Sequence, residues 1–407
     1  MNAPGTANNT TRLSEKSSLV PGFVTYIYIQ DQETLDVVCA RAARQPAIAL
    51  DTEFVRTRTL TPELGLVQLY DGHQLVLIDP LAIDDMSSLV SLLTNPDVIK
   101  VLHSCSEDLE AFLATFNEVP TPIFDTQFAA SLLGLGATVG YARLIEMLLE
   151  TELEKGESRT DWLARPLTDK QCRYAADDVL YLLPAFHQLY DMVKAKGKID
   201  WVLSESACLV DKKKASLPPE FAYLQINNAW RLSSQQLTVL KHLAAWRVRR
   251  ARERNMALNF VFKEPHLYEL ALRMPQSKSA LARIQSLTPQ ERRLNPDIIL
   301  NVVNAGLQEF DNTPSGEHIE RISRLIDFPA YKQTLARFKH AVSEMAVEYG
   351  VTEEVLASKK QLNQLLKYKW FNVDECRLMG LKPDVLTGWR EPLFAPVVNA
   401  ILHEENN

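Results

Sequence analysis

The chain has 407 residues, of which 46% are hydrophobic, and its formal net charge at pH 7 is −7. This length predicts two or three domains, and no apolar run reaches the roughly 18 residues that a membrane-spanning helix needs. The five cysteines are widely spaced, which predicts reduced thiols in a cytoplasmic protein and argues against a cysteine-held zinc site.

The N-terminal 20 residues are polar and lack the apolar stretch of a signal peptide, so we predict a disordered lead-in over 1–20. From 21 to 210, strand-like and helix-like patterns alternate, which predicts an α/β domain with a mixed sheet. The predicted strands are 47–54, 66–70, 75–78, 99–103 and 122–124. The predicted helices are 106–116, 127–135, 141–149 and 169–196. Capping-box patterns at Ser104/Glu107 and Thr168/Gln171 are expected to begin two of these helices.

Beyond residue 210 the strand-like patterns end. A lysine run and a Pro-Pro pair predict a linker over 211–227. A capping box at Ser233/Gln236 then opens a long helix. A polar loop divides the rest into two all-α bundles, at 228–310 and 318–403.

The two halves of the chain differ in charge. Residues 1–210 contain 16 Lys and Arg against 29 Asp and Glu, a net charge of −13, whereas the remainder carries +6. This asymmetry favours a metal-binding catalytic half joined to a half that holds a polyanion, although chance variation in surface charge would also explain it.

Four acidic residues and one tyrosine are the candidate catalytic groups. Asp51 and Glu53 are two apart on a predicted strand, so their side chains leave the same face. Tyr174 and Asp178 share one face of a predicted helix, and Asp108 lies in the first turn of another. Like charges about 5 Å apart repel by roughly 3 kcal/mol at an effective dielectric near 20. Four carboxylates in one pocket would therefore force protonation or local opening, unless a cation of charge +2 or more neutralises them. Oxygen ligands favour Mg²⁺ or Mn²⁺ over zinc.

Each of these short motifs, taken alone, also has an interpretation that involves no catalysis. A D-x-E pair is often a solvated strand end, and acidic residues favour helix N-termini without any ligand. A tyrosine four residues before an aspartate arises by chance in many helices. Only the whole set, in this order and on these elements, indicates a catalytic site.

The motifs around these residues resemble the bacterial ribonuclease D family, in the tyrosine subgroup of the DEDD 3′→5′ exonucleases. The resemblance rests on three segments, 51–56, 103–109 and 174–179, on intervening blocks such as 66–69, 124–127 and 160–167, and on helicase-and-RNase-D C-terminal (HRDC) patterns near 243–247 and 356–360. It implies a ribonuclease H-like exonuclease domain followed by two HRDC-like domains. It also implies that Asp51, Glu53, Asp108 and Asp178 are metal ligands, and that Tyr174 orients the attacking water.

The family resemblance further implies an exoribonuclease with two divalent ions, Mg²⁺ or Mn²⁺. Such an enzyme removes nucleotides one at a time from RNA 3′ ends and releases 5′-mononucleotides. The implied substrates are tRNA precursors and other small structured RNAs, and we expect a cytoplasmic monomer without a membrane partner. A DNA 3′→5′ exonuclease and a non-catalytic RNA-binding scaffold are the alternatives.

Further residues are weaker candidates for substrate contacts. These are Gln68, His103, Arg165, Arg247, Arg250 and Arg254. The arginines of the 247–254 run spread around a helix, so some are expected to contact phosphates and others to cover apolar surface. Phe260 and Phe262 follow this run and either stack on bases or pack in the core. Asp125 is predicted to be a helix cap and not a fifth metal ligand.

Overall fold

The computed structural model describes residues 25–153, 156, 159–289, 291 and 296–403, so the predicted lead-in at 1–20 lies outside the described residues. The strands are β1 Ile27–Ile29, β2 Ala47–Val55, β3 Glu63–Tyr70, β4 Leu75–Ile78, β5 Ile99–Leu102 and β6 Ile123–Asp125. The helices of the same half are α1 Gln32–Ala42, α2 Ser87–Leu93, α3 Ser106–Phe116, α4 Thr126–Leu132, α5 Tyr141–Leu149, α6 Asp169–Leu180, α7 Leu182–Ala195 and α8 Ile199–Lys214.

The rest of the described chain is helical. Its α-helices are α9 Ser234–Arg254, α10 Leu258–Val261, α11 Glu264–Arg273, α12 Lys278–Ala282, α13 Pro296–Asn312, α14 Tyr331–Tyr349, α15 Glu353–Leu356, α16 Lys359–Trp370, α17 Glu375–Leu378 and α18 Glu391–His403. Short 3₁₀ helices occupy Pro219–Gln225, Ala229–Arg231, Leu325–Asp327, Asp384–Leu386 and Gly388–Arg390. Within the described ranges, no helix is both long and apolar enough to cross a membrane.

The strands form one mixed sheet in the order β1-β4-β3-β2-β5-β6. β2 pairs antiparallel with β3 and parallel with β5, so it lies inside the sheet. Its side chains alternate between two cores: Ala47 and Ala49 pack with α6 and α7, whereas Ile48 and Leu50 pack with α1, α2 and α3. Helices therefore cover both faces, and β2 is buried until its carboxyl end, where the acidic residues begin.

Several local predictions differ from the structure. The predicted helix 169–196 is two helices that meet at Tyr181, because Pro184 lacks an N–H and its ring would crowd the carbonyl of Leu180 in a continuous helix. The capping box predicted at Ser104 is wrong, since Ser104 has a φ of 59° and α3 begins after Cys105 without a side-chain cap. The boxes at Thr168 and Ser233 are confirmed. Strand β1 has no counterpart among the predicted strands.

The predicted linker 211–227 is ordered over most of its length. Its lysine run forms the last turn of α8, where cations favour the helix C-terminus. The 3₁₀ helix after Pro218 then packs against α9 and buries Tyr223 in the core of the first bundle. Only 215–218 connects the two parts without regular structure.

The second helical bundle packs directly on the catalytic half. The ring of Trp389 stacks on Trp201 of α8, with 4.1 Å between the ring centroids. Its indole nitrogen donates to Glu205 Oε2 over 2.8 Å, and Arg390 forms an ion pair with the same carboxylate. Gly388 lies so close to α8 that a Cβ would approach Ser204 Oγ to 2.4 Å. One continuous core therefore joins the sheet domain and the second bundle.

Candidate active site

The predicted acidic residues converge at the carboxyl end of β2. Asp51 and Glu53 leave the face of β2 on which α6 packs, and Asp178 approaches from α6. Each of the three offers a carboxylate oxygen within 4.8 Å of the others. Asp108 enters from the first turn of α3, where it is buried and its Oδ1 accepts a hydrogen bond from Thr52 Oγ1 over 2.5 Å. The sheet and two helices thus bring together groups that are about 130 residues apart in sequence.

The pocket strongly disfavours four simultaneous negative charges. Withdrawal from water, with the nearby charges of Asp178 and Asp108, raises the pKa of Glu53 to about 9. The pKa of Asp178 rises to about 8, and that of Asp108 to about 7, chiefly from burial. Burial and the other three acids also raise the pKa of Asp51 well above its usual range. Since the donors are all carboxylate oxygens, the site fits a hard divalent cation, which would supply the missing positive charge.

Tyr174 lies one turn before Asp178 on α6 and is half-buried beside the ring of Trp162, 6.3 Å away between centroids. Burial and the carboxylates of Asp178, Glu53 and Asp51 raise the pKa of its phenol above the usual range. The phenol therefore keeps its proton at neutral pH. A protonated hydroxyl at this position can orient a water molecule but is a poor base.

Asp125 is confirmed as a helix cap, and it has a second role that the sequence did not predict. Its carboxylate accepts hydrogen bonds from the backbone N–H of Gln127 over 2.8 Å, at the start of α4. The same carboxylate accepts from the N–H groups of Ser104 and Cys105, each over 3.0 Å. Asp125 thereby fixes the turn before α3, which positions Asp108. These two contacts join residues that are 21 and 20 positions apart in sequence, so no local pattern predicts them.

Three family models match successive parts of the chain. They describe a 3′–5′ exonuclease domain (26–194), an HRDC domain (236–303) and the C-terminal HRDC domain of ribonuclease D (329–398). Ribonuclease D of Serratia proteamaculans is 42% identical over 379 residues, covering 93% of this chain and 99% of the relative. That of Escherichia coli is 40% identical over 381 residues, with coverages of 94% and 99%.

A solved structure agrees with these matches. Escherichia coli RNase D, described as an exoribonuclease involved in structured RNA processing, has a TM-score of 0.86, with 94% of this chain and 99% of that one covered. The chain belongs to the ribonuclease D family. It is a metal-dependent 3′–5′ exoribonuclease that acts in RNA processing, and the predicted fold and enzyme classes are confirmed.

Gln68 and His103 lie beside the acidic pocket of this ribonuclease. Gln68 is the cross-strand partner of Asp51 on β3, and both atoms of its buried amide lack a hydrogen-bond partner within the described part of the chain. His103 follows β5, and its Nδ1 lies 2.9 Å from the hydroxyl of Thr126, which itself donates to Leu102 O. The Gln68 amide is therefore available to a group in the pocket, whereas His103 is held by the fold through one nitrogen.

Arg165, which was predicted to contact the substrate, binds other groups of the protein. All five of its N–H donors are used: two on the carboxylate of Asp79, each over 2.7 Å, and three on the carbonyls of Gly65, Trp162 and Ala164. These contacts hold the segment before α6 against β3. Gly65 permits this approach, because a Cβ there would lie 2.4 Å from Trp162 O.

Arg165→Ala is expected to lower the free energy of unfolding by about 2–4 kcal/mol, because it leaves the buried Asp79 without its cation. Chemical denaturation measures this loss. The stability of Arg165→Lys should lie between those of wild type and Arg165→Ala, since lysine keeps the positive charge but cannot bind both carboxylate oxygens at once as arginine does. An unchanged stability with weaker RNA binding would instead restore the substrate-contact interpretation.

The three candidate arginines of α9 are in different environments. Arg247 is 6% exposed and directs its guanidinium toward Phe262 O, 3.4 Å away. It packs inside the first bundle, so the predicted contact with RNA does not agree with the structure. Arg250 forms a 3.3 Å ion pair with Glu253 on its own helix. Arg254 is exposed and, among the described residues, has no ion-pair partner.

Tyr174→Phe is expected to reduce the cleavage rate by about 10²-fold, since the variant keeps the ring but loses the hydroxyl that can orient water. Single-turnover cleavage measures the loss, and the metal-induced rise in melting temperature should persist because the carboxylates remain. Tyr190→Phe, on α7 of the same domain, is the matched control. Wild-type rates for Tyr174→Phe would exclude the hydroxyl from the reaction.

Proposed function

We propose that this ribonuclease uses two divalent ions, Mg²⁺ or Mn²⁺, to remove nucleotides one at a time from RNA 3′ ends. In each cycle water adds to the terminal phosphorus and the bond to the 3′ oxygen breaks. The products are a 5′-mononucleotide and an RNA with a new 3′ hydroxyl. The observation that carries the proposal is the convergence of Asp51, Glu53 and Asp178, with Asp108 beside them, in a pocket that disfavours their charges.

The residues have distinct parts in this proposal. Asp51, Glu53, Asp108 and Asp178 hold the ions through carboxylate oxygens, each fixed by β2, α3 or α6. The bound ions supply the positive charge that activates water and stabilises the leaving oxygen. Tyr174 orients the attacking water and does not take its proton, because the phenol remains protonated.

The proposed substrates are tRNA precursors and other small structured RNAs with single-stranded 3′ extensions. The description of the Escherichia coli relative as acting in structured RNA processing supports this class. The excess of basic residues beyond 210 supports binding to the RNA phosphates, which does not depend on the nucleotide sequence. We further propose a monomer that acts in the cytoplasm, where reducing conditions suit the unpaired cysteines of the described chain.

Digestion of a tRNA that carries a 3′ extension tests the proposal. With Mg²⁺ or Mn²⁺, products resolved at single-nucleotide steps should form a ladder from the 3′ end, together with 5′-mononucleotides. Chelation of the metal should stop the reaction. Internal fragments would refute exonucleolysis, and equal rates on a matched DNA extension would refute the choice of RNA.

A further inference from the structure

Phe260 is the most exposed phenylalanine, tyrosine or tryptophan side chain in the described part of the chain. It is 56% exposed, whereas the other described side chains of these three types are buried or partly buried. Its neighbour Phe262 is 3% exposed and packs edge-on against Trp246 in the core of the first bundle. The two alternatives predicted for this pair therefore separate: Phe262 packs in the core, and Phe260 does not.

The exposed ring lies where hydrogen bonds join the first bundle to the loop that follows β2. The N–H of Ala257 donates to the carbonyl of Arg58 over 2.8 Å. Asn255 Oδ1 accepts from both the N–H and the hydroxyl of Thr61, over 3.1 and 3.0 Å. Arg58 follows Glu53 by five residues, so their Cα atoms are at most about 18 Å apart. These bonds hold the segment that carries Phe260 against the loop that leads away from the acidic pocket.

Positive charge accompanies the ring. The guanidinium carbon of Arg58 lies 5.7 Å from the centroid of Phe260. Arg254 is exposed at the end of α9 and directly precedes Asn255, which binds Thr61. Neither arginine has an ion-pair partner among the described residues. An accessible aromatic face beside unpaired cations matches single-stranded nucleic acid, whose bases stack and whose phosphates attract cations.

We propose that Phe260 and Arg58 form a stacking platform for one base of the single-stranded 3′ tail of the RNA, near the entrance of the acidic pocket. The inference rests on the proposed trimming of RNA 3′ ends. The ring binds the base through its π-face and so accepts any of the four bases. Arg58 and Arg254 contact the adjacent phosphates, which makes the binding sensitive to salt. The hydrogen bonds to the loop after β2 set the distance between the platform and the 3′ end of the RNA in the acidic pocket.

A fluorescent base locates the platform directly. RNA tails with 2-aminopurine at successive positions from the 3′ end are bound to the Asp178→Asn protein, which is expected to bind the RNA without cleaving it. One or two adjacent positions should be quenched. Phe260→Leu in the same background should abolish that quenching, and Phe260→Tyr should keep it. The proposal is overturned if the quenching pattern is the same with leucine.

Kinetics give an independent measurement on the otherwise unaltered enzyme. Phe260→Leu should raise KM for a tailed RNA by about 5- to 150-fold, the range expected for one lost base stack. The KM of Phe260→Tyr should be close to that of wild type, because tyrosine keeps an aromatic ring. Val347→Ala, which alters an even more exposed apolar side chain in the second bundle, is the matched control and should match wild type.

Two failures are distinguishable. If the wild-type enzyme does not shorten RNA from its 3′ end, the proposed function fails, whatever Phe260 does. If it does so and Phe260→Leu has the wild-type KM, only the platform fails. Since Phe260 is exposed, its substitution should leave the melting temperature near that of wild type, and this measurement excludes unfolding as the cause.

Discussion

Asp178→Asn is expected to lower the rate of 3′-end cleavage by about 10³-fold or more, while the protein still binds RNA. Asp178 supplies one of the three carboxylate oxygens that lie within 4.8 Å of one another. Asparagine keeps the shape of the side chain but removes the negative charge that a divalent ion requires. Single-turnover cleavage of a tailed RNA, together with an RNA-binding isotherm, measures the two effects separately.

Asp51→Asn should behave in the same way, because Asp51 belongs to the same cluster. Both variants should unfold at a higher temperature than wild type in the absence of metal, since each removes a member of a group of acids that repel one another. A loss of activity with a gain in metal-free stability cannot come from unfolding. Asp97→Asn, an exposed aspartate before β5, is the control. Cleavage that survives in both cluster variants would overturn the assignment of the site.

The convergence of these acidic residues can be predicted from the sequence because the signals for their elements are local. Asp51 and Glu53 follow a run of apolar residues that indicates a buried strand, and the period of a strand gives their common face. Tyr174 and Asp178 are on a helix that begins with a complete capping box. In each case the residues that determine the element are within a few positions of the residue that bears the chemistry.

The sequence is a poorer guide where distant residues determine the surroundings of a side chain or strand. Arg165 is occupied by Asp79 and by carbonyls up to 100 residues away, and Arg247 is buried by the segment after its own helix. A sequence shows a basic residue but not the carboxylate or the core around it. Strand β1 has only three residues and pairs with β4, about 50 positions later, so its local signal is weak. The docking of the second bundle through Trp389 on Trp201 is likewise a contact between distant segments.

The metal-free protein is expected to lose stability as the pH rises from about 5 to about 9, by an amount on the order of 5 kcal/mol. The pKa values of Glu53, Asp178 and Asp108 in the folded protein are about 9, 8 and 7. Unfolded acidic side chains titrate near pH 4, so the folded state holds more protons throughout this range. Raising the pH therefore favours unfolding, and the contribution of these groups is fully present only below about pH 4. Because the acids are coupled, their contributions do not add.

Divalent ions should offset part of this loss. They bind the deprotonated carboxylates, so the stabilisation by Mg²⁺ or Mn²⁺ should grow with pH and reach about 2.7 kcal/mol once the ion exceeds its dissociation constant 100-fold. Urea unfolding at about pH 6 and about pH 9, with chelator or with metal, measures both effects. Asp178→Asn should flatten the metal-free slope, since one of the acids with a raised pKa is gone. A metal-free stability that stays constant or rises over this range would show that the acids are not forced together in solution, and a cation would then have no repulsion to relieve.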